Sequence, residues 1–331
     1  MALQASPKCV GKVCYVVQIS FAIGLLIFLD PACAQASHHS VLCNFVSKPG
    51  HFTGTPQALK VEVSVGDHQI SKIVITPSLS PRRIMIVENL SDSRTHKTLL
   101  TTTNYFAESS PASDQLALVD SNDMPSLDID LQSVDSFSGK LRDGRVLKKI
   151  TPTGRRALFD AVLFSLERLQ KQPQEGDSIF IVSDGLDNSS RATQEMLRDK
   201  LFKSRIRVYA MVLASPASSG FEEKERLLFL DTVVGTGGTS MAVIPVNSVL
   251  LMNPSGSLGH AQPQYDFSRK RLAEIQKAVE AMHQLIEKPQ KIEFDIDPPL
   301  VKPEELKLTI SPESPQQSQD MQVLCPHFVN P

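Results

Sequence analysis

The stretch Glu88-Asn89-Leu90-Ser91-Asp92-Ser93 sets carboxylate, amide and hydroxyl oxygens directly behind the aliphatic run Ile84-Met85-Ile86-Val87. Oxygen donors gathered at a strand tip are what a small hard cation such as Mg²⁺ takes as ligands. The same residue types also cap helices, because their side chains accept hydrogen bonds from unpaired backbone N–H groups of a first turn. Both readings of Asn89, Ser91 and Ser93 stand at this point. A further carboxylate, Asp184, ends the run Ser178-Ile179-Phe180-Ile181-Val182-Ser183, the clearest core strand of the chain.

Residues for catalysis are harder to find. Gly235-Thr236-Gly237-Gly238 closes a helical stretch ahead of a late strand, whereas a dinucleotide loop follows a first strand and opens a helix. Residues 255–260 approach a nucleophile elbow without its first glycine, and they lie in a loop. The sequence therefore predicts a protein that is not an enzyme and has no small-molecule substrate.

The elements that must position Asn89 and Asp184 follow from periodicity. From residue 81 onward, apolar runs at 83–87, 115–121 and 126–131 are followed by one at 178–183, one at 205–214 and one at 240–246. Helical spacing marks 97–108, 155–171, 191–204 and 222–234. That alternation predicts an α/β, doubly wound, mostly parallel sheet with helices on both faces. Ligands on such folds sit beyond the carboxyl ends of the strands, which places Asn89 and Asp184 on one edge.

The flanks read differently. Residues 35–80 form an N-terminal extension with two strands, at 58–65 and 68–76. The polar stretch 37–54, with His38-His39, reads as a disordered tail. After a linker loop at 247–264, residues 265–331 hold an amphipathic helix at 269–287 and a pair of strands at 290–297 and 305–311. These last strands are expected to join the N-terminal ones in a small side sheet.

Taken together, "RRIMIVENLSDSR" (82–94), "TPTGRRALFDAV" (151–162), "DSIFIVSDGLDNSSRAT" (177–193) and "RIRVYAMVLA" (205–214) resemble, in order and spacing, the von Willebrand factor type A (vWA) domain. The resemblance covers residues 81–246 and is closest to the secreted bacterial, acidobacterial-type branch. It implies a metal-ion-dependent adhesion site (MIDAS) built by three loops. The first is Asp-x-Ser-x-Ser, the second supplies a Thr and the third an Asp, and the bound cation takes a carboxylate from a partner.

This chain departs from that pattern at two positions. Ser91, Ser93 and Asp184 match, but Asn89 replaces the first Asp, and Arg156 stands where the Thr belongs, two residues after Gly154. An amide lacks the charge that attracts a dication, and a guanidinium adds a permanent positive charge. The resemblance then implies a degenerate site in which Arg156 pairs with Asp184, hydrogen-bonds Asn89 and takes over part of the metal's role. The alternatives are a weak Mg²⁺ or Mn²⁺ site using Ser91, Ser93 and Asp184, a shifted one drawing on Glu88 or Asp92, or full cation-dependent adhesion. Asp160 reads as a structural acceptor beneath the loops, and Asp187 to Ser190 as a turn that caps the following helix.

The ends of the chain place it. Lys8 and Lys12 precede an apolar run that is short for a membrane span, and Ala32-Cys33-Ala34 follows, which reads as a signal peptide over residues 1–34. An uncleaved leader would be the sole membrane contact. Cleavage leaves Cys43 and Cys325, whose even count permits a bridge in an oxidising compartment or two free thiols. A net charge of −2 without a long basic block argues against nucleic acid. The expectation is a secreted or periplasmic bacterial module that binds a protein partner through Asn89, Ser91, Ser93, Arg156 and Asp184. The alternative is a structural component of an envelope assembly, acting through its terminal segments.

Overall fold

The structure, a computed structural model, describes residues 37–47, 51–52, 59–65, 68–70, 73–78, 81–89, 93–143, 155–213, 220–242, 269–296, 306–312 and 321–326. Five strands come first: β1 (Ser37–Ser47), β2 (His51–Phe52), β3 (Leu59–Val65), β4 (His68–Ile70) and β5 (Ile73–Pro77). The central unit follows as β6 (Arg83–Asn89), α1 (Ser93–Ser109), β7 (Gln115–Asp120), β8 (Ser126–Ser133), α2 (Val134–Arg142), α3 (Leu158–Gln170) and β9 (Ser178–Ser183). It continues through α4 (Gln194–Ser204), β10 (Arg207–Val212), α5 (Gly220–Gly235) and β11 (Ser240–Ala242). The chain then adds α6 (Arg269–Glu287), β12 (Gln290–Ile296), β13 (Leu306–Pro312) and β14 (Met321–Leu324).

The aliphatic runs settle at the centre. β6, β9 and β10 are buried at every position, as strands covered on both faces must be. The sheet order is β11-β10-β9-β6-β7-β8, parallel except where β8 turns back antiparallel on β7. Alternate residues divide between two cores. Ile84, Ile86, Phe180, Val182, Tyr209 and Met211 face α1, α2 and α6, while Met85, Val87, Ile179, Ile181, Val208 and Ala210 face α3, α4 and α5. The fold is thus α/β and doubly wound.

Gly237 and Gly238 serve the packing. Gly237 has φ +81°, and a Cβ on Gly238 would fall 1.7 Å from the Val208 carbonyl oxygen, so this glycine pair is a turn pressed against β10.

Three features differ from the sequence reading. α2 was not anticipated; it starts directly from β8 with no turn residues between them, although Val134, Phe137 and Leu141 are spaced to bury one helical face. The stretch read as a tail contains β1, which pairs antiparallel with β12 and β14 and buries Val41 and Cys43. The sequence divides the chain after residue 246, yet α6, beyond that division, sets Ile275, Val279, Met282, Leu285 and Ile286 into the sheet core.

The terminal strands do join the N-terminal ones, but in two sheets: β14-β1-β12-β5, with β2 on β1, and β13-β3-β4. β12 and β13 therefore do not pair with each other. A Cys43–Cys325 disulfide closes the first of these sheets onto the chain's last described segment.

Candidate functional site at the carboxyl edge of the sheet

β6 has β7 on one side and β9 on the other, so the winding reverses between β6 and β9. Such a switch point opens a crevice beyond the strand ends. Asn89, the last residue of β6, is in register with Ser183, the last of β9, and Asp184 follows. β7 delivers Asp120 opposite Glu88 on the other flank. The first loop is only partly described: Ser91 lies outside the described residues, with Leu90 and Asp92, and α1 begins at Ser93.

Arg156 comes from the segment ahead of α3. Its Nη1 lies 3.2 Å from Asp184 Oδ2, with the two side chains 19% and 16% exposed. Backbone anchors set its approach. Arg156 N donates to Asn188 Oδ1 at 2.8 Å, and its carbonyl accepts from the N–H groups of Asn188 and Ser189 at 3.0 and 3.1 Å. The next residue, Ala157, donates to the Ser121 and Asn122 carbonyls after β7.

None of these anchors lies on β6, and the expected hydrogen bond from Arg156 to Asn89 is not formed. Among the described residues, both polar atoms of the buried Asn89 amide lack a partner, as does Arg156 Nε. A guanidinium drawn to a carboxylate gains more than one drawn to a neutral amide.

The remaining loop residues hold the scaffold. The Asp160 carboxylate accepts the backbone N–H groups of Arg191 and Ala192, each at 2.9 Å, as a structural acceptor beneath the loops would. Asp187 and Ser190 shape the turn, but they cap a different helix from the one the sequence suggested. Asp187 Oδ2 accepts from Phe159 N at 2.9 Å and Ser190 Oγ from Asp160 N at 3.0 Å, which satisfies the first turn of α3. α4 has its own cap, Thr193, accepting from Met196 N at 3.3 Å.

The edge also collects acids in poor contact with water. Burial pushes Glu88 up to about 7; the Thr103 hydroxyl, which donates to it, opposes that shift, and the charges of Asp120 and Asp128 add to it. Burial likewise raises Asp120 to about 6, with Asp128 adding to the effect. Asp184 is raised by burial, and Arg156 pulls it back.

Sequence reasoning missed Asp120 as an edge residue, although it is the last residue of a strand aimed at that edge. It also missed Arg226 of α5, whose Nε donates to the Asp184 carbonyl at 2.8 Å. No local sequence signal marks Arg226. Gly185 makes room for it: φ is +78°, and a Cβ there would meet Arg226 Cγ at 2.9 Å.

Among the described residues, a cation beside Asp184 would meet the Arg156 guanidinium. At about 4 Å from a guanidinium, a dication would be repelled by roughly 8 kcal/mol at the effective dielectric near a protein surface. Asn89 supplies no formal charge to offset that, and Asp184 is already engaged. Among the described residues no group of three or more His, Cys, Asp or Glu side chains is arranged to hold a metal ion.

No protein-family model and no curated protein matches the chain. Among solved structures it is similar to a von Willebrand factor type A structure from Catenulispora acidiphila, at 9% identity over 82% of this chain and 72% of that one, with a TM-score of 0.45. It is similar to the conserved hypothetical protein BatB from Bacteroides thetaiotaomicron, at 12% identity over 62% of this chain and 100% of that one, with a TM-score of 0.39. A third is proximal thread matrix protein 1 from the mussel byssus, with a zinc-occupied MIDAS motif, at 15% identity over 66% of this chain and 49% of that one, with a TM-score of 0.42.

Likeness at this level concerns the fold. In this chain the doubly wound sheet brings Asn89, Arg156 and Asp184, one from each of the three motif stretches, to a single edge. The fold resembles that of a von Willebrand factor type A domain. In this vWA-like fold, Asp184 follows β9, and the Arg156 guanidinium lies beside it.

Proposed function

We propose that this vWA-like domain is a non-enzymatic interaction module that binds a protein partner through its carboxyl-edge loops, with Arg156 in place of a metal ion. One observation carries the reading: the Arg156 guanidinium sits on Asp184 by a single contact, while its Nε and both polar atoms of Asn89 lack partners among the described residues. A partner carboxylate would accept from Arg156 Nε and Asn89 Nδ2 in charge-assisted hydrogen bonds. Buried polar groups without partners in the free molecule are a strong incentive for a ligand that supplies them.

The chain acts outside the cytoplasm in this reading. The leader-like residues 1–34 support export, and so does the Cys43–Cys325 bridge, which suits an oxidising compartment. No helix among the described residues is long and apolar enough to cross a membrane.

The test is capture of partners by immobilised protein lacking residues 1–34, with and without chelator. The reading requires a prey that survives chelation and is lost with Arg156→Ala. If the same prey is held unchanged by an Asn89→Ala, Arg156→Ala, Asp184→Ala triple variant, the edge is inert. The terminal sheets would then carry the function, as in an envelope component.

A further inference from the structure

The opposite edge of the sheet holds a cavity of about 290 Å³ that the proposed function does not use. It lies where β1 and β12 pass the start of β10 and the end of α4. Val41, Leu42, Leu201 and Ile206 give it apolar walls. Arg207, the first residue of β10, lines it as well and is 1% exposed.

Among the described residues, all three guanidinium nitrogens of Arg207 lack a hydrogen-bond partner. Its nearest compensation is the Tyr209 ring, whose centroid is 5.6 Å from Cζ. A buried arginine is ordinarily paired, because stripping water from the ion is costly unless other groups replace it.

The carboxylates that line the same cavity are committed elsewhere. Asp177 forms a two-point pair with Arg83 and accepts from Gln174 N. Glu175 accepts from Ser78 and pairs with Lys291 at 3.0 Å; Lys291 also holds Glu293 at 2.9 Å. Among the described residues, Arg207 has no hydrogen-bonded or ion-paired carboxylate of its own.

We propose that this cavity binds a small organic monocarboxylate, its carboxylate on the Arg207 fork and its apolar body against Val41, Leu42, Leu201 and Ile206. Two features select this class over a bare inorganic anion. A planar guanidinium matches a carboxylate in two-point geometry, and the walls would gain nothing from phosphate or sulfate. The volume lies near the lower end for small-ligand pockets, which limits the ligand to a short chain or one ring.

The experiment is isothermal titration of the disulfide-intact protein with sodium hexanoate, with hexan-1-ol and inorganic phosphate as parallel titrants. The expected result is saturable hexanoate binding, at least tenfold tighter than either control. In Arg207→Leu, hexanoate affinity should fall at least tenfold, and the ligand-free melting temperature should rise because an unpaired buried charge has gone.

Absence of saturable hexanoate binding overturns the proposal, as does equal binding of hexan-1-ol or tighter binding of phosphate. Undiminished hexanoate affinity in Arg207→Leu also overturns it. The wild-type titrations decide the matter even if that variant does not fold. They leave the carboxyl-edge reading untouched, since no carboxyl-edge residue named above lines this cavity.

Discussion

Strand β9 carries an Arg–Asp pair at each end, and the two pairs are built differently. At its amino end, Asp177 accepts from Arg83 Nε and Nη2 at 2.9 and 2.5 Å. Arg83 Nη2 also donates to the Leu169 and Gln172 carbonyls at 3.1 and 2.6 Å. That guanidinium closes the carboxyl end of α3 and locks the sheet to it. At the other end, Asp184 meets Arg156 through one contact of 3.2 Å, and Nε points at no acceptor. The same two residue types thus serve structure at the end where Arg83 Nε and Nη2 are both engaged, and at the other end leave Arg156 Nε without a partner among the described residues, which is what the proposed recognition role uses.

The largest effect should come from the amino-end pair, Arg83 and Asp177. Arg83→Ala leaves Asp177 as a buried, unpaired charge and uncaps α3, so urea denaturation should show a loss of about 4 kcal/mol. A loss under 1 kcal/mol would remove the structural half of the contrast.

The acids of the carboxyl edge come next. Burial raises Glu88 from 4.5 to about 7, so the folded chain holds this proton more tightly than the unfolded one. The resulting stabilisation is fully present below about pH 4.5 and is lost as pH rises through 7. Relative to Glu88→Gln, the natural protein should lose roughly 3 kcal/mol across that window in chemical denaturation, the shift multiplied by 1.36 kcal/mol per unit. Parallel profiles for the two proteins would mean that Glu88 is not held in a water-poor site.

The smallest effect belongs to the pair of interest. Arg156→Ala removes one partly exposed contact and should cost about 1 kcal/mol in the same assay. A loss as large as that of Arg83→Ala would recast Arg156 as a structural residue.

The contrast between the two ends was only half visible in the sequence. The aliphatic runs announced β6, β9 and β10, and the strand–helix alternation put Asn89 and Asp184 on a common edge. The pairing of Arg156 with Asp184 and the structural role of Asp160 also followed from residue type and place.

What escaped depends on contacts far apart in the chain. β1 is a strand because β12 and β14 pair with it, some 250 residues or more away, and its Ser and His residues gave no local hint. The helix that Asp187 and Ser190 cap is set by how loops 155–160 and 187–192 zip together, which spacing alone does not reveal. The lack of a bond between Arg156 and Asn89 has the same origin: the backbone anchors of Arg156 lie on the loops after β9 and β7.

The most direct test of a guanidinium in place of a metal is isothermal titration of the chelator-stripped protein with Mg²⁺ and Mn²⁺, beside an Asn89→Asp, Arg156→Thr double variant. The account predicts no binding by the natural protein and saturable binding by the variant, whose restored carboxylate and hydroxyl supply the missing ligands. Cation binding by the natural protein itself, lost on Asp184→Asn, would contradict it and make adhesion through a metal-bridged carboxylate the mechanism.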